Sequence, residues 1–189
     1  MLISEKGLST ADVFFHIRII SGFGVGLCMS RLLAFAAGFI QHPTKQRLSA
    51  IHTAWLIFIF IYVASYWWEI LEDGANYLDD GIFYFLQVLN IAFLYFICVT
   101  ITPENIDDYD GYYDYFFSRR LWLFFIFMIS YMNNFVIHNF DVRNNFTNYI
   151  ELFFVFILIV IALFSKVKLV QMAVILLMIF VSLLFLFLS

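Results

Sequence analysis

Six apolar stretches, at about 12–40, 48–71, 82–102, 118–138, 147–165 and 168–188, take up most of this chain. Each approaches or exceeds the roughly 20 residues that carry a helix across a bilayer. In hydrocarbon every backbone N–H and C=O must be bonded within the protein, which leaves helices or a closed barrel. The stretches are continuous rather than short and alternating, so barrel strands are excluded. The pattern predicts an all-α fold: a single transmembrane domain, residues 1–189, built as a polytopic six-helix bundle. Only Ser165-Lys166-Val167-Lys168 divides the last two stretches, which reads as a tight hairpin.

Composition closes the soluble route. Charged residues make up 13% and hydrophobic ones 64%, with 26 Phe against 10 Lys plus Arg; a soluble domain carries about 25% charged residues. The net charge of −4 excludes a nucleic-acid partner, which needs a basic face. The two cysteines, Cys28 and Cys98, lie in apolar stretches and offer no disulfide or zinc framework. No removable signal peptide is expected, because the first apolar stretch contains Arg18 and Arg31.

Basic residues in the short connections set the orientation. With the N-terminus outside, the inner connections hold Lys45, Arg47, Arg119, Arg120, Lys166 and Lys168, whereas the outer ones hold Lys6 and Arg143. Both termini are therefore expected on the periplasmic side of a bacterial inner membrane. Trp67 and Trp68 at the outer level and Trp122 at the inner level suit the two headgroup regions.

Polar residues at membrane depth are costly and so informative. With alternating helix directions, nine gather in the outer half: His16, Arg18, Glu69, Gln87, Asn90, Asn133, Asn134, His138 and Glu151. They are the candidate ligand or ion cluster. Within it Arg18 is expected to pair with Glu69 or Glu151, since a buried cation needs a partner. Arg18→Ala should then impair folding. On the inner side stand Arg31, His52, Arg119 and Arg120. Arg31 follows Arg18 by 13 residues, about 20 Å along a helix; its expected partners are helix-end carbonyls or the acids at 107–114. Gly22, Gly26 and Ser30 recur every four residues and predict close helix packing. His16 and His138 share a depth, so b-type haem is the alternative to a bundle without cofactor. No metal site is expected.

The connection Pro103–Arg120 is acidic and tyrosine-rich. An EF-hand register on Gly111 puts Ile106 and Phe117 in ligand positions, which fails. Asp110-Gly111 reads as a turn, followed by an interfacial segment at Tyr112, Tyr113, Tyr115 and Phe116, with the acids paired to Arg119 and Arg120 or to a partner.

The pattern R-x-x-x-G-x-x-x-G…SRLL (Arg18 to Leu33), His42-Pro43, YWWE (Tyr66 to Glu69) and DYDGYYDYFFSRRLWLF (Asp108 to Phe124) resembles small, functionally uncharacterised bacterial inner-membrane proteins. The resemblance covers about the first 125 residues. It implies a multi-pass membrane fold and brings no activity or site residue with it.

Three function classes follow. The first is a small channel- or transporter-like bundle using the outward polar cluster. The second is a non-catalytic accessory subunit of a larger membrane complex. A lipid-acting enzyme comes third, because no nucleophile–base pair can be named. The expected partners are the lipid bilayer and either further copies of the chain or other membrane subunits.

Overall fold

The computed structural model describes residues 10–41, 49–73, 81–139 and 146–188. It is all-helical over these residues: α1 (Thr10–Gln41), α2 (Ala50–Asp73), α3 (Gly81–Ile101), α4 (Tyr112–Asn139), α5 (Phe146–Phe164) and α6 (Lys168–Leu188). Four of the helices are long and apolar enough to cross a membrane: Asp12–Gln41, Ala50–Leu71, Gly81–Ile101 and Tyr112–Ile137. Tyr149–Phe164 and Lys168–Leu184 are apolar but shorter. The protein is a membrane-spanning helical bundle.

α2 lies nearest the middle, packing against α1, α3, α4 and α6; α3 also packs on α1 and α4, and α5 bridges α4 and α6. Its inward residues Trp55, Phe58, Ile59, Val63 and Tyr66 are nearly inaccessible. They meet α4 in an aromatic column: Trp55 lies 4.7 Å from Phe124 and Phe58 lies 5.7 Å from Phe127, centroid to centroid. Such edge-to-face and tilted pairs add to the burial of large rings. Outward-facing residues are equally apolar, Phe23, Phe85, Trp122 and Phe180 among them. Lipid, not water, is the solvent for those faces.

α1 turns Ile17, Ser21, Gly24, Val25, Cys28 and Leu32 inward, a row at helical spacing. This corrects the expected packing stripe. A Cβ at Gly22 would come within 2.9 Å of the Trp67 ring, so this glycine does admit α2 closely. At Gly24, which the four-residue spacing passed over, a Cβ would overlap Ile91 of α3. Gly26 has nothing within 4 Å of such a Cβ, and Ser30 is exposed. At 100° per residue both point away from the buried row.

α4 begins at Tyr112, six residues before the apolar run suggests. Gly111 takes φ 110°, a conformation natural to glycine, and its carbonyl accepts the first helical bond from Tyr115 N at 3.0 Å. The expected turn at Asp110-Gly111 is there. Tyr112, Tyr115 and Phe116 are core residues rather than interfacial ones; only Tyr113 of the four is exposed.

Candidate functional site

At one end of the bundle, where α1, α3 and α5 finish, polar side chains close off helix termini. The last carbonyls of a helix lack intrahelical donors, and membrane surroundings make them costly to leave bare. Arg31 of α1 donates from Nη2 to Thr102 O at 2.7 Å and from Nε to Thr102 Oγ1 at 3.0 Å. Its Nη1 lies 3.4 Å from Glu104 Oε1. His52 of α2 bonds from Nε2 to Ile101 O at 2.7 Å, and Tyr115 donates to Thr100 O at 2.6 Å. The end of α5 is closed by Arg120, whose Nε reaches Leu163 O at 3.2 Å, and by Gln171, whose Nε2 reaches Ala162 O at 2.6 Å and Ser165 O at 2.9 Å. Trp55 Nε1 donates to Gln171 Oε1 at 3.3 Å. A cation there also meets the negative end of the helix dipole.

Arg31 thus finds a helix end, as expected, and Glu104 in place of the acids at 107–114. Those acids do not pair with Arg119 or Arg120; the acid that pairs at this end is Glu104, with Arg31. Arg119 instead donates to Tyr109 OH at 2.8 Å.

In the other half, polar side chains of α2, α3, α4 and α5 meet each other. Tyr66 OH donates to Gln87 Oε1 at 2.8 Å, and Ser130 Oγ to Asn90 Oδ1 at 2.9 Å. Asn134 Nδ2 donates to Glu69 Oε2 at 3.1 Å, Tyr131 OH to Glu151 Oε1 at 3.3 Å, and Asn133 Nδ2 to Leu86 O at 2.9 Å. Tyr131 lies within electrostatic reach of Tyr62 and of both glutamates. Alternating helix directions bring Glu69, Gln87, Asn90, Asn133, Asn134 and Glu151 to one level. Three buried polar atoms of these helices make no hydrogen bond, Tyr62 OH, Asn90 Nδ2 and Asn134 Oδ1, and Ser21 Oγ on the inward row of α1 is a fourth. Buried groups of this kind are normally satisfied, so the layer has bonding capacity to spare.

Two expected members stand apart. Arg18 is exposed on α1, its guanidinium 5.1 Å from the Phe14 ring, and is bonded to neither Glu69 nor Glu151. The expected ion pair is not formed, because Arg18 and His16 flank the inward Ile17. His16 is exposed beside Phe15, with centroids 6.3 Å apart. The side chain of His138, the other expected haem ligand, lies outside the described residues. Among the described residues no three His, Cys, Asp or Glu side chains gather as metal ligands. The chain matches no family model, no curated protein and no solved structure.

The layer also contains residues the sequence reading passed over: Tyr62, Tyr66, Ser130 and Tyr131. A signal was present. Tyr62, Tyr66 and Glu69 recur at i, i+4 and i+7, one face of α2, and Ser130 precedes Asn134 by one helical turn.

Proposed function

We propose that the chain is a channel- or transporter-like protein of a bacterial inner membrane, crossing it six times with both termini periplasmic. Its polar layer takes a proton or small monovalent cation from the outer side. The observation that carries this reading is the layer itself: two carboxylates, Glu69 and Glu151, hydrogen-bonded to Asn134 and Tyr131 of one α4 face, beside buried polar atoms with unused bonding capacity. Carboxylate and amide oxygens with neighbouring hydroxyls are the ligands that hard cations prefer. Intramembrane acids of this kind mark ion and proton paths.

Passage through one protomer requires the aromatic column of Trp55, Phe58, Phe124 and Phe127 to part, because the polar groups beyond it already close helix ends. The test is flux: the purified full-length chain in liposomes under a proton or sodium gradient. Transport above that of empty liposomes is expected, lost in Glu69→Gln and Glu151→Gln. Flux no higher than in empty liposomes, with the helical content intact, refutes it.

That closed column favours a second reading, an accessory subunit of a larger membrane complex. Stoichiometric co-purification of other membrane subunits, together with absent flux, supports it.

A further inference from the structure

Positive charge collects where α5 ends and α6 begins, with no acid between Leu158 and Met172. Arg120 is 9% exposed. Its Nε and Nη1 are taken by Leu163 O and Phe117 O, at 3.2 and 2.6 Å, and neither bond uses Nη2. The guanidinium lies 5.6 Å from the Phe117 ring, the Phe117 ring 4.6 Å from that of Tyr113, and Lys168 Nζ 4.5 Å from the Tyr113 ring. Arg120, Phe117, Tyr113 and Lys168 therefore form one run of contacts from α4 to α6, and Lys166 is exposed in the connection beside it. The Arg31–Glu104 ion pair is made elsewhere, between α1 and the chain just beyond α3.

A cation held largely out of water needs a counter-charge, and the two carbonyls that Arg120 meets supply only dipoles. The first turn of α6 adds donors. Val167 N is taken by Ser165 Oγ and Gln171 N by Val167 O, but the N–H groups of residues 168–170 precede the first intrahelical acceptors. A helix N-terminus so placed suits a phosphate. Phe164, Val167 and Leu169, all strongly exposed, alternate with Lys166 and Lys168 along the chain. Lipid is the solvent for such apolar side chains, so the phosphate that meets these lysines is one carrying acyl chains.

We infer that this corner binds the phosphate of an anionic lipid headgroup, held by Arg120, Lys166, Lys168 and the first turn of α6, with Phe164, Val167 and Leu169 against its acyl chains. The inference is independent of the cation site in the other half of the bundle.

The experiment is native mass spectrometry of the delipidated full-length chain, titrated with phosphatidylglycerol and phosphatidylcholine of the same acyl chains. The wild type should retain phosphatidylglycerol in preference. Lys166→Gln and Lys168→Gln, both at exposed positions, should each lower that preference about fivefold, as expected of a basic residue near an anionic headgroup. Arg119→Gln removes an equal charge at the same end of the bundle, where Arg119 is bonded to Tyr109, and should leave the preference unchanged. Equal retention of the two lipids overturns the site, and so does an Arg119→Gln effect equal to that of the lysines. Full displacement of phosphatidylglycerol by inorganic phosphate alone would make the ligand a free phosphate and overturn the lipid assignment.

Discussion

Where α3 and α5 finish, interior polar side chains bond chiefly to backbone carbonyls; in the other half they bond chiefly to each other. The first arrangement is dictated by the fold. A helix that ends inside a bundle presents bare acceptors, and Arg31, His52, Tyr115, Arg120 and Gln171 are the donors that cover them. The second arrangement has no such obligation, since α2, α3, α4 and α5 satisfy their own backbones at the level of Tyr66, Asn90 and Tyr131. Polar groups kept there at a cost, with three of their atoms unbonded, answer to something other than helix ends. A polar residue's depth is thus less telling than what it bonds.

The comparison breaks most readily at Gln171. Gln171→Leu would remove the donor to Ala162 O and Ser165 O and the acceptor of Trp55 Nε1 in one step. Buried groups left unsatisfied cost about 1–3 kcal/mol each, although hydrogen bonds between membrane helices average nearer 0.6 kcal/mol. A loss of about 2–3 kcal/mol in reversible unfolding from detergent is expected. A loss below about 0.5 kcal/mol, the range of ordinary surface changes, would show that these helix ends need no cap.

Next comes the packing that holds the other half together. Gly24→Val would force α1 away from Ile91 of α3, and overpacking costs about 1–3 kcal/mol. Ile91→Ala in the same chain should recover part of that loss, while Gly26→Val, facing open space, should stay within about 0.5 kcal/mol. If Gly24→Val is as mild as Gly26→Val, close approach of α1 does not secure this half.

A smaller effect is expected within the polar layer. Asn90→Leu removes one bond, from Ser130 Oγ, together with an amide nitrogen that has no partner. A cost near the average of about 0.6 kcal/mol for such bonds is expected. Ion flux in liposomes should fall far more than stability does. A flux unchanged by Asn90→Leu would reduce the layer to a packing device.

Much of the architecture was legible because length and hydropathy report directly on a membrane helix. The stretch read at 82–102 is α3 at Gly81–Ile101, and 147–165 is α5 at Phe146–Phe164. The meeting of Gln87, Asn90, Asn134, Glu69 and Glu151 followed from alternating helix direction, which fixes depth. Rotation was not legible. α1 is apolar nearly all round, so no polar face marks which side turns inward, and four-residue spacing alone does not separate Gly22, which meets Trp67, from Gly26 and Ser30 on the far side. The same uniformity hid Gly24. Tyrosine is ambiguous at membrane depth, since its ring suits apolar surroundings and its hydroxyl does not; nothing in the sequence marks that Tyr66 and Tyr131 place their hydroxyls inside the bundle.

Arg18 gives the smallest expected effect and the sharpest reversal. Depth alone pairs it with Glu69 and Glu151, which would make its removal costly. The structure turns it outward over Phe14, at 5.1 Å. An exposed cation–π contact contributes about 0.5–1 kcal/mol. Against that stands the cost of carrying a charge on the lipid-facing side of a helix, which snorkelling reduces without abolishing. The two nearly cancel, so Arg18→Leu should change unfolding free energy by less than about 0.5 kcal/mol, the range of surface substitutions. The decisive measurement is the double-mutant cycle of Arg18→Leu with Glu69→Gln. Groups that share no contact add to within about 0.3–0.5 kcal/mol, and that is the expected coupling. A larger coupling would restore the ion pair and return Arg18 to the polar layer.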